Sequence, residues 1–112
     1  MLVEKVGKND ILSNRKWLYA NFSNQKRFED HFKHLIEYGN ISPEEYLNKA
    51  RELLSANLSD DVEGFISSQG WLFKYRKSTN DFAMGHPKGT ISTLFKPKEK
   101  YDYYLGEKEK YK

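Results

Sequence analysis

Over residues 23–38 the apolar positions Phe28, Phe32, Leu35 and Ile36 follow the i, i+4, i+7, i+8 spacing of one helix face. Gly39 stands where a helix ends, because glycine takes the left-handed backbone of a C-terminal cap without steric cost. A second helix is predicted from Ser42-Pro43-Glu44-Glu45. Ser42 serves as N-cap, Pro43 sits where a missing N–H costs nothing, and Glu45 closes a capping box. Tyr46, Leu47, Ala50, Leu53 and Leu54 supply its buried face. After Asn57 the apolar runs become short: Gly64-Phe65-Ile66-Ser67, Trp71 to Arg76, Phe82-Ala83-Met84 and Thr90 to Phe95. Turn signals part them at Ser68-Gln69-Gly70, Ser78-Thr79-Asn80 and Gly85 to Gly89. Four short strands with brief connections predict an antiparallel meander. Helices followed by strands give an α+β domain, with N-terminal helices packed on one face of a four-stranded antiparallel sheet.

The pattern has no fixed-period repeat and no linker, so residues 1–112 read as a single domain. Within it, residues 1–22 form an N-terminal extension, a fusion boundary or a short lid helix carrying Trp17, Leu18, Tyr19 and Phe22. Residues 23–57 are the helical part and residues 62–104 the sheet. Pro97 and the Lys-, Glu- and Tyr-rich end close the sheet and fray, leaving residues 105–112 as a charged tail.

Composition changes this picture in two places. Aromatic residues reach 15% against a hydrophobic share of only 38%, so the core is expected to be small and rich in rings. Cysteine is absent, which excludes disulfides, thiol catalysis and thiolate zinc sites. No apolar run approaches a membrane span, and residues 1–10 show no signal-peptide core. The expected location is therefore the cytoplasm, or the cytoplasm of a target cell for a delivered effector domain. Charge is uneven. From Lys74 to Lys98 the cations Lys74, Arg76, Lys77, Lys88, Lys96 and Lys98 face only Asp81, a local balance of +5. Such a segment suits a polyanion, although a solvated face reads the same way.

Two groups of residues could carry chemistry. At 100° per residue, Arg27, His31, His34 and Tyr38 share a narrow stripe beside the apolar face of the first helix. They can donate or shuttle protons, or decorate a helix flank; His31 lies nearer the apolar edge than His34. His31, His34 and Glu37 lack a further committed ligand for zinc, so no metal is expected. The second group is the strand–loop–strand Leu72-Phe73-Lys74-Tyr75-Arg76-Lys77-Ser78-Thr79-Asn80-Asp81-Phe82-Ala83, where cations interleaved with rings suit single-stranded RNA, although Asn80 and Asp81 are equally the turn residues of a plain hairpin. There is no phosphate-binding glycine loop and no carboxylate cluster for a two-metal nuclease. Cleavage of nucleic acid would then use the RNA 2′-hydroxyl as nucleophile, with a base, a cation for the phosphorane and an acid for the leaving oxygen.

The order Lys33-His34, Glu37-Tyr38-Gly39, Ser42-Pro43-Glu44-Glu45-Tyr46-Leu47, Phe73-Lys74-Tyr75, Ser78-Thr79-Asn80-Asp81-Phe82-Ala83 and Gly89-Thr90-Ile91-Ser92-Thr93-Leu94-Phe95-Lys96-Pro97 resembles the C-terminal toxin domains of bacterial polymorphic secretion systems and phage-element proteins. These form the BECR group of metal-independent ribonucleases, with a barnase-, colicin- and RelE-like fold. The resemblance spans about residues 28–104. Leu35 and Ile36 depart from it, standing where relatives often carry glycine and a polar residue.

The resemblance implies an endoribonuclease toxin that leaves a 2′,3′-cyclic phosphate and needs no cofactor. It implies His34, Lys74, Arg76, Thr79 and Thr93 as catalytic residues. His31, Lys33, Tyr38, Tyr75, Asn80 and Lys96 would bind substrate. The implied partners are RNA and a small acidic immunity or antitoxin protein, with no membrane, and the chain itself is expected to be a monomer. The alternative is a non-catalytic module of phage origin that binds RNA or inhibits a host protein.

Overall fold

The structure, a computed structural model, describes residues 15–22, 38–39 and 41–112. Four strands, β1 (Val62–Ile66), β2 (Leu72–Arg76), β3 (Asp81–Gly85) and β4 (Ile91–Phe95), form one antiparallel sheet in the order of the sequence. The fold is α+β, as the hydrophobic pattern predicts. Helix α1 (Pro43–Ser55) begins with the predicted capping box. The Glu45 N–H donates to Ser42 Oγ at 3.1 Å, and the Ser42 N–H donates to Glu45 Oε1 at 2.8 Å. Of its expected apolar face, Tyr46, Ala50, Leu53 and Leu54 are buried, while Leu47 is half-buried against the same core. The helix predicted over residues 23–38 falls outside the described residues except for Tyr38. Gly39, its expected cap, has φ 76°.

Register decides which side chains share a face. Lys74 lies opposite Gly64 and Ala83, so Leu72, Lys74 and Arg76 point to the α1 side with Val62, Ala83 and Leu94. A 3-10 helix, Arg15–Tyr19, completes this layer: Trp17 is buried, and Leu18 and Tyr19 are exposed. Trp17 lies over Gly85, where its indole occupies the space a Cβ would need. Phe22 pairs in parallel with Ile91, beyond the β4 edge, and the Arg51 guanidinium fastens this segment to α1 through Ala20 O and Asn21 Oδ1.

The chain end departs from the sequence reading. Residues from Tyr101 onwards do not fray: Tyr101–Tyr111 is a second helix, α2. It covers the face opposite α1, where Phe65, Phe73, Tyr75 and Phe82 form an aromatic cluster around Tyr104. Tyr75 and Tyr104 stack at 5.7 Å, as do Phe73 and Tyr111. The sheet is therefore covered on both faces, by mixed aliphatic and aromatic packing on the α1 side and by rings on the other. No described helix is long and apolar enough to cross a membrane.

Candidate functional site

The β2–β3 turn, the end of β4 and the C-terminal half of α1 meet at one end of the sheet. Arg76 leaves β2 on the α1 side and grips Glu52 with both Nη atoms, at 2.8 and 2.6 Å. That bond raises the Arg76 pKa further above its ordinary value. Asp61 caps the turn, accepting from the Ser78 N–H at 2.7 Å and its hydroxyl at 2.6 Å. The Ser78 hydroxyl bond is the chief reason its carboxyl sits below the usual carboxylate range.

Beside this lies a second knot. Lys96 Nζ donates to Asp81 Oδ1 at 3.0 Å and to the Thr79 carbonyl at 2.7 Å. The Thr79 hydroxyl donates to the other Asp81 oxygen at 2.6 Å. Lys96 also lies 4.6 Å from the ring centre of Tyr38, whose edge meets Tyr46. Asn80, at φ 58°, accepts from the Tyr75 hydroxyl at 2.6 Å and donates to Pro97 O at 2.9 Å. Tyr38, Arg76, Thr79, Asn80 and Lys96 are thus gathered at one end, with Tyr75 linked through Asn80.

Two expected site residues stand apart. Lys74 is fully buried, and its ammonium donates to the carbonyls of Leu54 and Ala56 at the end of α1. Burial, and secondarily the charge of Arg76, brings its pKa down to about 8. Gly64 makes this possible, since a Cβ there would lie 2.8 Å from the Lys74 stem. Lys74 caps the last carbonyls of α1, where a cation is favoured. A lysine with no exposed surface does not reach a phosphate. Thr93 lies opposite Met84, on the α2 side of the sheet and so on the other face from Arg76 and Lys96. His31, His34 and Lys33 lie outside the described residues.

The basic segment is also less bare than its sequence. Arg76 pairs with Glu52, Lys77 with Glu63 at 2.9 Å and Lys96 with Asp81. Burial opposes ionisation of Glu63, but hydrogen bonds from Lys77 and Tyr101 outweigh it and lower its pKa. Lys74, Lys88 and Lys98 of this segment make no ion pair among the described residues, and of these Lys74 is buried. Glu52, Asp61 and Glu63 were invisible as partners because they lie outside the basic stretch of sequence. Spacing alone gives no signal for such pairs. Compared with known proteins, the chain matches no family model and no curated protein.

Proposed function

We propose that the protein is an endoribonuclease that cleaves RNA by transphosphorylation at the Arg76–Lys96 end of the sheet. The observation that carries this reading is Lys96 bridging Asp81, Thr79 and the ring of Tyr38. It joins the polar β2–β3 turn to the segment that carries His34, four residues before Tyr38 in the chain. In the proposed reaction His34 exchanges protons with the reacting oxygens. The 2′-oxygen loses its proton and attacks phosphorus; the 5′-oxygen leaves and takes up a proton, giving a 2′,3′-cyclic phosphate and a 5′-hydroxyl. Arg76 presents a planar fork to the phosphorane, with RNA phosphate taking the place of Glu52, and Lys96 adds the second cation. Lys74 has no part in this step.

Purified protein is expected to cut RNA in excess EDTA and to leave 5′-hydroxyl ends that polynucleotide kinase labels without prior phosphatase treatment. His34→Ala lowers the rate by about 10²–10⁴-fold, as expected for a general acid–base group. Arg76→Ala lowers it by about 10²-fold or more. Activity that disappears in EDTA and returns with Mg²⁺ overturns the mechanism.

The internal pairing of the basic strand favours a second reading, a binding module without catalysis. RNA that stays intact while being retained by the protein supports that reading. An acidic inhibitor protein remains part of the first proposal, drawn to Lys88, Lys98 and the Arg76 corner.

A further inference from the structure

At the opposite end of the sheet, on the α2 side, a half-open cavity of about 640 Å³ lies between the start of β2 and the end of α2. Trp71, Phe73, Met84 and Tyr111 form its apolar walls, and Glu107 and Lys110 stand among its polar ones. None of the residues gathered around Arg76 and Lys96 lines it. We propose that this cavity is a nucleobase pocket, holding one base of an RNA strand whose amino group faces Glu107.

The walls are set before any ligand arrives. The Ser67 hydroxyl accepts from the backbone N–H groups of Gln69 and Trp71, at 3.3 and 3.1 Å, and the Ser67 N–H donates to Trp71 O at 2.9 Å. Gly70, at φ 90°, takes the left-handed backbone the turn needs and faces Pro87 of the next hairpin, whose ring would lie 3.5 Å from a Cβ at this position. There His86 meets the Trp71 ring edge-on at 4.7 Å. The Ser68 N–H donates to Tyr111 O at 3.3 Å and holds the end of α2 against the same turn. Aromatic walls around a cavity of this size suit a small planar ligand, and the remaining lining, from Ser67, Ser68, Gln69, Glu107, Lys110 and Lys112, is polar.

The polar groups narrow the ligand. The Trp71 indole N–H donates to no described residue and can meet an acceptor edge of a planar heterocycle, while the exposed Tyr111 ring is stacked on Phe73 and has Lys110 Nζ 5.4 Å from its centre. Glu107 is largely covered, with 16% of its side chain exposed, and Lys110 Nζ lies 4.0 Å away. A carboxylate accepts hydrogen bonds and donates none. It therefore favours adenine, guanine and cytosine, which carry an exocyclic amino group. Uracil offers a single N–H flanked by two carbonyl oxygens that the carboxylate repels. Lys110 supplies a cation for the adjoining phosphate.

The test is a titration of ¹⁵N-labelled protein with AMP, GMP, CMP, UMP and ribose 5-phosphate, read at the two indole N–H resonances. The amino-bearing nucleotides are expected to shift Trp71 saturably and to leave Trp17, buried on the other face, unmoved. UMP should bind at least fivefold more weakly. By calorimetry, Trp71→Ala should weaken AMP binding about tenfold or more, and Glu107→Gln should reduce the preference for AMP over UMP to less than twofold. If Trp71→Ala fails to fold, the resonance map and Glu107→Gln decide alone. No saturable shift at Trp71, ribose 5-phosphate binding as well as AMP, or an unchanged base preference in Glu107→Gln each overturns the pocket. The ligand class rests on the RNA reading above, yet the titration needs no cleavage. Protein that cuts no RNA but binds AMP keeps the pocket, and protein that cuts RNA without binding nucleotides loses it.

Discussion

Lys74 shows how one side chain can read as catalytic and be structural. A strand lysine between aromatic residues suits phosphate contact, but its parity in β2 turns it inward, and Gly64 leaves room for its stem. Its pKa of about 8 has a definite sign in stability. The unfolded lysine titrates near 10.5, so between pH 8 and 10.5 the unfolded chain holds more protons than the folded one. Stability therefore rises with pH through this window and carries the full cost of the buried charge below it. Denaturant melts are expected to show a gain of about 2 kcal/mol between pH 8 and 10, and Lys74→Met should flatten it. Above pH 10 the trend reverses, because burial raises the pKa of Tyr104, Tyr75 and Tyr103 and the folded state then holds the extra protons. Tyr104 has a separate cost: its hydroxyl is buried with no hydrogen-bond partner among the described residues. Tyr104→Phe removes the orphaned group and keeps the ring stacking, so urea midpoints should report a gain of about 1 kcal/mol.

Among the elements, α1 and the four strands were legible and α2 was not. Ser42, Pro43 and Glu45 act through bonds within one helical turn, so three neighbouring residue types suffice to place the start of α1. The strands announce themselves through turn residues at both ends of each short run. In α2 the start is marked by Lys100 at φ 55° without a side-chain cap, Gly106 interrupts the middle, and Leu105 faces solvent. Local propensity argues against this helix; the sheet's aromatic face supplies its reason to form, through Tyr101, Tyr104 and Tyr111. Tertiary burial outweighs propensity in such a case. Gly106 is open to improvement, since a Cβ there meets nothing within 4 Å and its backbone is helical. Gly106→Ala should raise stability by about 0.5–1 kcal/mol, measured as a shift in the urea midpoint at constant slope.

At the scale of the whole molecule, the candidate site was legible as a set of residue types and not as an arrangement. The Thr79, Asn80, Arg76 and Lys96 neighbourhood, with Asp81, follows from the hairpin, but the acids answering Arg76 and Lys77 come from α1 and β1. Such long-range pairs leave no trace in local spacing. The meander itself has a kinetic consequence. Each strand pairs with its successor across a short turn, so the sheet can zip from local contacts with little loop-closure entropy. The bridge between Phe22 and Ile91 is different, because it joins opposite parts of the chain. Its closure cost is recovered only once the sheet and α1 are in place, so this contact should form after the rate-limiting barrier to folding. Phe22→Ala, which empties a buried site and should cost about 3 kcal/mol, is expected to steepen the loss on the unfolding side. In stopped-flow chevrons the unfolding rate should rise about a hundredfold while refolding changes less than about threefold. Equal changes in both arms would place the bridge inside the folding nucleus.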